Sequence, residues 1–214
     1  MTSIYDPEAT YVGLDVHKDS ISVGVLEPGS DSPVVDRIFH DEPCVRRLIG
    51  GFGDPARLRM CYEAGPTGYE LQRLIASMGV SCDVIAPSLI PTAPGDRVKT
   101  DKRDCRRLSR LYRAGELVAI RVPTPVEEAV RDLCRGRADL VDDRDRARKR
   151  LLALLLRHGR VYRAGSYWTH KHAPGLAAQR FDEPALQATL SHYLATVAAR
   201  EAGLAAAESD LAVP

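Results

Sequence analysis

The apolar pattern of the sequence changes its period near Pro125. Before that residue, short apolar runs alternate with stretches rich in proline, glycine and serine, which is typical of strands and short helices joined by turns. From Val126 to Leu154, apolar residues recur in steps of three and four, over a length well beyond a typical helix of about 11–12 residues. The chain is therefore expected to join an α/β domain, residues 1–118, to a helical region, residues 119–214.

The first region shows three apolar runs and then alternating helical and strand-like segments. This order is typical of a mixed five-stranded sheet with flanking helices. A capping box formed by Thr67 and Glu70 is expected to begin one helix, and another is expected to resume at Thr100 after a loop over 87–98. The predicted strands are 11–16, 21–26, 34–39, 57–63 and 82–86, and the predicted helices are 44–49, 67–78 and 100–114.

The long periodic segment has the spacing of a heptad seam interrupted by two arginines. It predicts a coiled coil or a long helical hairpin, and it is equally compatible with a helix that packs on its own domain. Oligomerisation through this helix is therefore an expectation. The seam residues are Val126, Val130, Leu133, Arg137, Leu140, Arg144, Ala147, Leu151 and Leu154.

The composition favours a protein of the cytoplasm. No run approaches the roughly 20 apolar residues of a membrane helix, and residues 1–7 lack the pattern of a signal peptide. The five cysteines form no close pair, which indicates reduced thiols rather than a disulfide framework or a zinc site. We therefore expect no membrane partner.

Positive charge is concentrated in the middle of the sequence. Residues 1–96 hold 7 basic and 14 acidic side chains, whereas residues 97–163 hold 20 basic and 10 acidic ones, although the whole chain has a net charge of only +1. Arginine outnumbers lysine by 25 to 5, and its guanidinium group makes planar, bidentate contacts with phosphate. The distribution indicates a nucleic-acid partner, although a solvated helical face gives the same pattern. The candidate contacts are Lys18, Lys99, Lys102, Arg103, Arg106, Arg107, Arg144, Arg146, Arg148, Lys149 and Arg150.

Four acids from three segments suggest a divalent-metal site. Asp15 and Glu63 lie in predicted strands, where an uncompensated charge is costly, and Asp101 and Asp104 are three positions apart on one helix face. Each acid alone is also explained by a strand end or a helix start. If the four converge, two charges about 4 Å apart repel by about 4 kcal/mol at an effective dielectric constant of 20. Magnesium or manganese bound to these carboxylates would relieve that repulsion.

The four acids lie within three short motifs. The first motif is Gly-Leu-Asp-Val-His-Lys at 13–18, the second is Glu-Ala-Gly-Pro-Thr-Gly-Tyr at 63–69, and the third is Lys-Thr-Asp-Lys-Arg-Asp at 99–104. These motifs resemble those of a known family, the DEDD insertion-sequence transposases, which are pilin-invertase-like, bridge-RNA-guided recombinases. Residues 167–169 and 180–186 also look like the middle region of that family. The likeness spans almost the whole chain in matching order.

The resemblance implies a fold, a chemistry and partners. The fold would be a RuvC-like ribonuclease-H domain followed by a coiled-coil region, and Asp15, Glu63, Asp101 and Asp104 would be a catalytic, metal-binding tetrad. The family recombines bacterial or archaeal DNA as an oligomer, guided by a structured RNA. It also uses a serine nucleophile in a C-terminal domain, which we expect to be absent because the sequence stops at Pro214.

Three functions remain as alternatives at this stage. The first is the catalytic half of a DNA transposase, and the second is a non-catalytic fragment that binds RNA or DNA and oligomerises. An actin-like or sugar-kinase-like phosphotransferase is disfavoured, because no glycine-rich phosphate loop follows residue 96. His170 and His172 flank Lys171 without a third metal ligand nearby, so we expect them to be exposed or close to RNA. Core burial is the expectation for Trp168.

Overall fold

The protein forms two compact units, which divide between Val122 and Pro123. The computed structural model describes residues 6–91 and 101–212, apart from the side chains of Asp101 and Lys102. Lys99, the expected N-cap Thr100 and most of the expected loop over 87–98 lie outside the described residues. Each unit has its own hydrophobic packing. In the first unit apolar side chains pack between a sheet and helices, and in the second they pack between helices.

The first unit is built on a mixed β-sheet. Its strands among the described residues are β1 (Thr10–Val16), β2 (Ser20–Leu26), β3 (Val34–Phe39), β4 (Leu58–Glu63), β5 (Ser81–Ile85) and β6 (Ala119–Ile120). They are ordered β3-β2-β1-β4-β5-β6. The first three strands form an antiparallel meander, β4 and β5 run parallel to β1, and β6 is antiparallel to β5. This mixed sheet with flanking helices is consistent with a ribonuclease-H-like fold.

The five predicted strands are confirmed. Among the described residues the sheet also has a sixth strand, which was not predicted from the sequence. Strand β6 has only two residues, Ala119 and Ile120, which pair with Ile85 and Val84 on β5. A two-residue strand is too short to show a period. Because these residues belong to the sheet, the first unit extends to Val122 rather than ending at residue 118 as expected.

The first unit carries helices α1 (Glu42–Gly50) and α2 (Glu70–Ser77) on one face of the sheet and α3 (Asp101–Arg113) on the other. The predicted capping box of Thr67 and Glu70 is wrong. Helix α2 begins at Glu70 after Tyr69, which makes no side-chain cap. Thr67 instead lies in a turn that closes when the Gly68 N–H donates to the Gly65 carbonyl at 3.2 Å. Gly68 has a φ of +69°, which glycine adopts without strain.

Two glycines let α3 lie directly against the sheet. Gly13 on β1 pairs with Gly24 on β2. A Cβ atom at Gly13 would lie 2.6 Å from the Cys105 carbonyl oxygen, and one at Gly24 would lie 2.5 Å from the same atom. Real Cβ atoms do not approach a backbone oxygen so closely. The backbone of α3 therefore fills the space over Gly13 and leaves no room there for a ligand.

The second unit contains helices α4 (Pro125–Arg157), α5 (His172–Ala177) and α6 (Pro184–Leu211). The long helix predicted after Pro125 is confirmed, and a capping box of Thr124 and Glu127 begins it. Helices α4 and α6 run in opposite directions, as the two helices of a helical hairpin do. The ion pairs between them show this, since Arg137 pairs with Glu208 and Arg148, further along α4, pairs with the earlier residue Glu201. Their core contains Ala147, Leu151, Leu154, Leu155, Leu190 and Val197.

The beginning of α4 is not buried against α6 as its second half is. Two residues of the predicted seam, Val126 and Val130, are 74% and 52% exposed. The later seam residues Ala147, Leu151 and Leu154 are buried against α6. Only the second half of the heptad pattern is therefore explained by packing within the second unit. In the described part of the chain, no helix has the length and apolarity that crossing a bilayer requires.

Candidate metal centre and nucleic-acid interface

Asp15 and Glu63 are neighbours at the ends of two adjacent strands. Leu14 on β1 pairs with Tyr62 on the parallel strand β4, and Asp15 and Glu63 each follow by one position. Carboxyl ends of parallel strands meet at the same edge of a sheet, where side chains are accessible to ligands. The two acids that the sequence placed in strands are thus adjacent in register.

Both acids also point toward the sheet face that carries α3. Side chains alternate between the faces of a strand, so Asp15 shares its face with Gly13, over which α3 lies. Glu63 shares its face with Cys61, which packs in the same core as Leu108 of α3. The side chain of Asp15 is 22% exposed, and Glu63 is exposed.

The start of α3 lies beside Asp15. Burial raises the pKa of the Cys105 thiol to about 11, and the negative charge of Asp15 acts in the same direction. Asp104 directly precedes Cys105 and is half-buried, while Asp101 is the first residue of α3. The backbone therefore brings the first turn of α3 to the β1 strand end where Asp15 lies.

The side chains described around Asp15 do not by themselves form a metal-binding group. Its Oδ2 atom is 3.3 Å from His17 Nε2. Among the side chains that the structure describes, no group of three His, Cys, Asp or Glu could hold a metal ion. The side chain of Asp101, the fourth acid of the expected tetrad, lies outside that part. The donor set is nevertheless one of hard carboxylate oxygens, which fits magnesium or manganese.

The candidate basic residues differ in what they contact. Arg144, Arg146 and Arg148 pair with the acids Asp145, Asp143 and Glu201 respectively. Arg148 also covers the ring of Trp168 at 4.6 Å from the centroid. Arg107 is half-buried, the side chain of Lys102 is not described, and Lys99 lies outside the described residues. Besides Arg146, the exposed candidates are Lys18, Arg103, Arg106, Lys149 and Arg150.

Comparison with known proteins assigns the chain to a family. A family model of DEDD transposases of the IS110 type, described as "Transposase", matches residues 12–159. The chain belongs to the DEDD insertion-sequence transposase family. The match covers the four acids as well as the basic residues up to Arg150.

Curated relatives of this DEDD transposase-family chain agree with the assignment. The transposase for insertion sequence element IS1533 of Leptospira borgpetersenii is 36% identical over 205 residues, which cover 94% of this chain and 59% of the relative. The protein y4qE of Sinorhizobium fredii, which carries a transposase name, is 42% identical over 200 residues, covering 92% of this chain and 51% of the relative. The chain thus spans about half the length of the curated relatives it matches.

One group of residues in this family member was not predicted from the sequence. His172 was expected to be exposed or close to RNA, yet it is only 3% exposed. Its ring lies against Tyr162 and Tyr167, with centroids 4.5 and 5.1 Å away. Residues 146–181 contain nine lysines and arginines and no acid, which is the sequence signal that could have drawn attention to this group.

Proposed function

We propose that this chain is the metal-binding half of a transposase that cleaves and transfers DNA strands. The main support is the register of β1 and β4, which makes Asp15 and Glu63 neighbours on the sheet face that carries α3. Asp15, Glu63, Asp101 and Asp104 would hold Mg²⁺ or Mn²⁺. Such ions activate a nucleophile and stabilise the leaving oxygen in phosphodiester chemistry.

The residues of the chain would position the DNA backbone for this reaction. Arg103 and Arg106 are exposed on α3, the same helix that carries Asp104, so they would bring phosphate groups toward the acids. Lys18 is exposed in the turn that follows Asp15. Lys149 and Arg150 would add phosphate contacts from the second unit. By resemblance, a structured guide RNA would select the DNA target.

A metal-binding experiment tests this proposal. Addition of Mg²⁺ or Mn²⁺ should raise the melting temperature, because a ligand that binds only the folded state stabilises it. Asp15→Asn and Asp104→Asn should each abolish the rise. Asp19→Asn is the matched control, because Asp19 is exposed in the turn after Asp15, and it should keep the rise. Equal stabilisation of the wild type and all three variants would reject the metal site.

A binding experiment tests the basic residues. The double variant Arg106→Glu with Arg150→Glu should weaken duplex DNA binding and reduce its dependence on salt, because fewer counterions are released. The control is Arg131→Glu with Arg135→Glu, which changes the net charge equally at exposed positions of α4. Equal losses in the two double variants would show a general charge effect rather than contacts at Arg106 and Arg150.

A non-catalytic role in binding and oligomerisation is the second candidate function. It is favoured by the exposed seam residues Val126 and Val130. Under either function, α4 would join copies of the chain. Val126→Asp with Val130→Asp should then lower the mass measured by sedimentation equilibrium. A melting temperature that does not respond to metal would favour this second candidate.

A further inference from the structure

The second unit contains an open cavity that the proposed chemistry does not use. Its volume is about 760 Å³, within the range of roughly 300–1,000 Å³ that is common for ligand sites. It lies between the end of α4, the segment that follows it, and α5. The residues that define it here are Lys149, Leu156, Arg160, Tyr162, Tyr167 and His172, and we call it the aromatic cavity.

Three rings form one wall of the aromatic cavity. The rings of Tyr162 and His172 lie 4.5 Å apart at an angle of 55°, and Tyr167 meets His172 edge to face at 5.1 Å. Tyr167 is 41% exposed, and Leu156 on α4 is 65% exposed. An exposed tyrosine ring beside exposed aliphatic groups is a surface on which a planar, aromatic ligand stacks.

His172 holds this wall in place. Its Nδ1 atom accepts a hydrogen bond from the Trp168 backbone N–H at 3.1 Å, so the proton of the neutral ring is on Nε2. Trp168 has a φ of +63°, an uncommon conformation for a residue with a side chain. Burial lowers the pKa of His172, which keeps the ring neutral. His172 is therefore held by Trp168 as a ring against which Tyr162 and Tyr167 pack.

The segment of sequence that lines the cavity carries only positive charges. Residues 146–181, which include the whole lining, carry nine basic and no acidic residues. Glu201 neutralises Arg148 from α6, but Lys149 and Arg160 line the cavity itself. Arg160 is held in position by the Phe181 ring, 4.0 Å from its guanidinium carbon, and by the Gln179 Oε1 atom at 2.9 Å. An anionic ligand is thus favoured over a neutral or cationic one.

We propose that the aromatic cavity binds one unstacked nucleotide of a single-stranded nucleic acid. The base stacks on Tyr167, and its phosphate lies near Lys149 and Arg160. Stacking on tyrosine tolerates any base, because every base has an aromatic face. A paired base inside a duplex does not expose that face, so the cavity discriminates single strands from duplexes. The inference rests on the nucleic-acid function proposed above.

Fluorescence anisotropy with the 214-residue chain tests this inference. The probes are labelled oligouridine, oligothymidine and a duplex of equal phosphate number. Tyr167→Ala should weaken binding of the single strands about tenfold, as the loss of one stacking contact does, and leave duplex binding unchanged. Tyr167→Phe keeps the ring and should bind like the wild type. The uridine and thymidine arms show whether RNA, DNA or both occupy the cavity.

Crosslinking of the wild type provides a second readout that does not depend on a variant folding. Oligonucleotides with 4-thiouridine or 4-thiothymidine should crosslink to peptides that contain Tyr162 or Tyr167. Unchanged single-strand affinity in Tyr167→Ala, equal losses for single strands and duplex, or crosslinks confined to other peptides would overturn the proposal. Displacement of a hydrophobic dye from the cavity by an amphipathic peptide, but not by oligonucleotides, would assign it to a protein partner and also overturn it.

These outcomes are separate from those that test the proposed function. Metal stabilisation depends on Asp15 and Asp104, and duplex binding depends on Arg106 and Arg150. If those effects are found and Tyr167→Ala does not weaken single-strand binding, only the proposal that the aromatic cavity binds a nucleotide is rejected. If metal stabilisation and duplex binding are both missing, the proposed function itself fails.

Discussion

The helices inside the first unit pack in a different way from those inside the second. In the first, α3 approaches the sheet so closely that its backbone lies over two glycines, Gly13 and Gly24. In the second, α4 and α6 are kept apart by leucine side chains such as Leu151, and ion pairs such as Arg148–Glu201 bridge them. Backbone contact leaves α3 little freedom to shift on the sheet, because backbone atoms cannot repack. Side-chain contact between α4 and α6 can adjust by a change of rotamer.

The largest expected effect is on the glycine contact. Gly13→Ala would place a Cβ atom 2.5 Å from the Ser109 backbone nitrogen, so α3 must move away from the sheet. We expect the first unit to lose about 3 kcal/mol of its free energy of unfolding, at the upper end of overpacking costs. Urea denaturation followed by circular dichroism measures the change. Wild-type stability in Gly13→Ala would show that α3 does not lie on Gly13.

A smaller effect is expected at the ion pairs of the second unit. Arg148→Ala removes the contacts with Glu201 and Trp168 and should cost about 1 kcal/mol, the sum of a modest ion pair and a cation–π contact. Thermal unfolding of the second unit measures the loss. Arg150→Ala is the matched control on the same helix, since Arg150 is exposed, and it should have no measurable effect. Equal results for the two variants would contradict a structural role for Arg148.

The stability of the second unit should also depend mildly on pH, through His172. Burial lowers the pKa of His172 below its ordinary value of 6.5. Below that value the unfolded chain binds a proton before the folded one does, so stability present above pH 6.5 is lost as the pH falls. His172→Gln should reduce this slope in denaturation midpoints measured between pH 7.5 and 5. His170→Asn, at an exposed position, should retain it, and a slope unchanged in His172→Gln would contradict the assignment.

The smallest expected effect is an increase in the free energy of unfolding, whereas Gly13→Ala should lower it. Gly136 lies inside α4, and a Cβ atom there would meet no other atom within 4 Å. Gly136→Ala should therefore stabilise the second unit by about 0.5–1 kcal/mol through helix propensity alone. Thermal unfolding provides the measurement. Destabilisation would show that the two units do not differ in how closely their helices approach a neighbour.

The sequence predicted what depends on local pattern. Strands β1 to β5 follow from apolar runs bounded by turns, and α4 follows from the three- and four-residue steps after Pro125. Asp15 and Glu63 attracted attention because charge is costly in a strand, and the structure makes them neighbours in register. A charge that breaks an apolar pattern is thus visible without any knowledge of the fold.

What the sequence did not predict depends on contacts between distant segments. Strand β6 exists because Ala119 and Ile120 meet the edge of β5, and two residues show no period. The close approach at Gly13 depends on α3, far along the chain. The burial of His172 depends on Tyr162 and Tyr167, which are brought together by a turn at Trp168 with positive φ. None of these contacts leaves a mark in the local apolar pattern.

In the proposed site, acids from three segments meet around one cation, and iron-directed cleavage tests this arrangement directly. Fe²⁺ bound in place of Mg²⁺, with ascorbate and peroxide, releases hydroxyl radicals that cut the backbone close to the ion. We predict cuts near Asp15, near Glu63 and across 101–104 in a single reaction, suppressed by excess Mg²⁺ and lost in Asp15→Asn. Cuts confined to one of these segments, or cuts that excess Mg²⁺ leaves unchanged, would contradict a shared metal site.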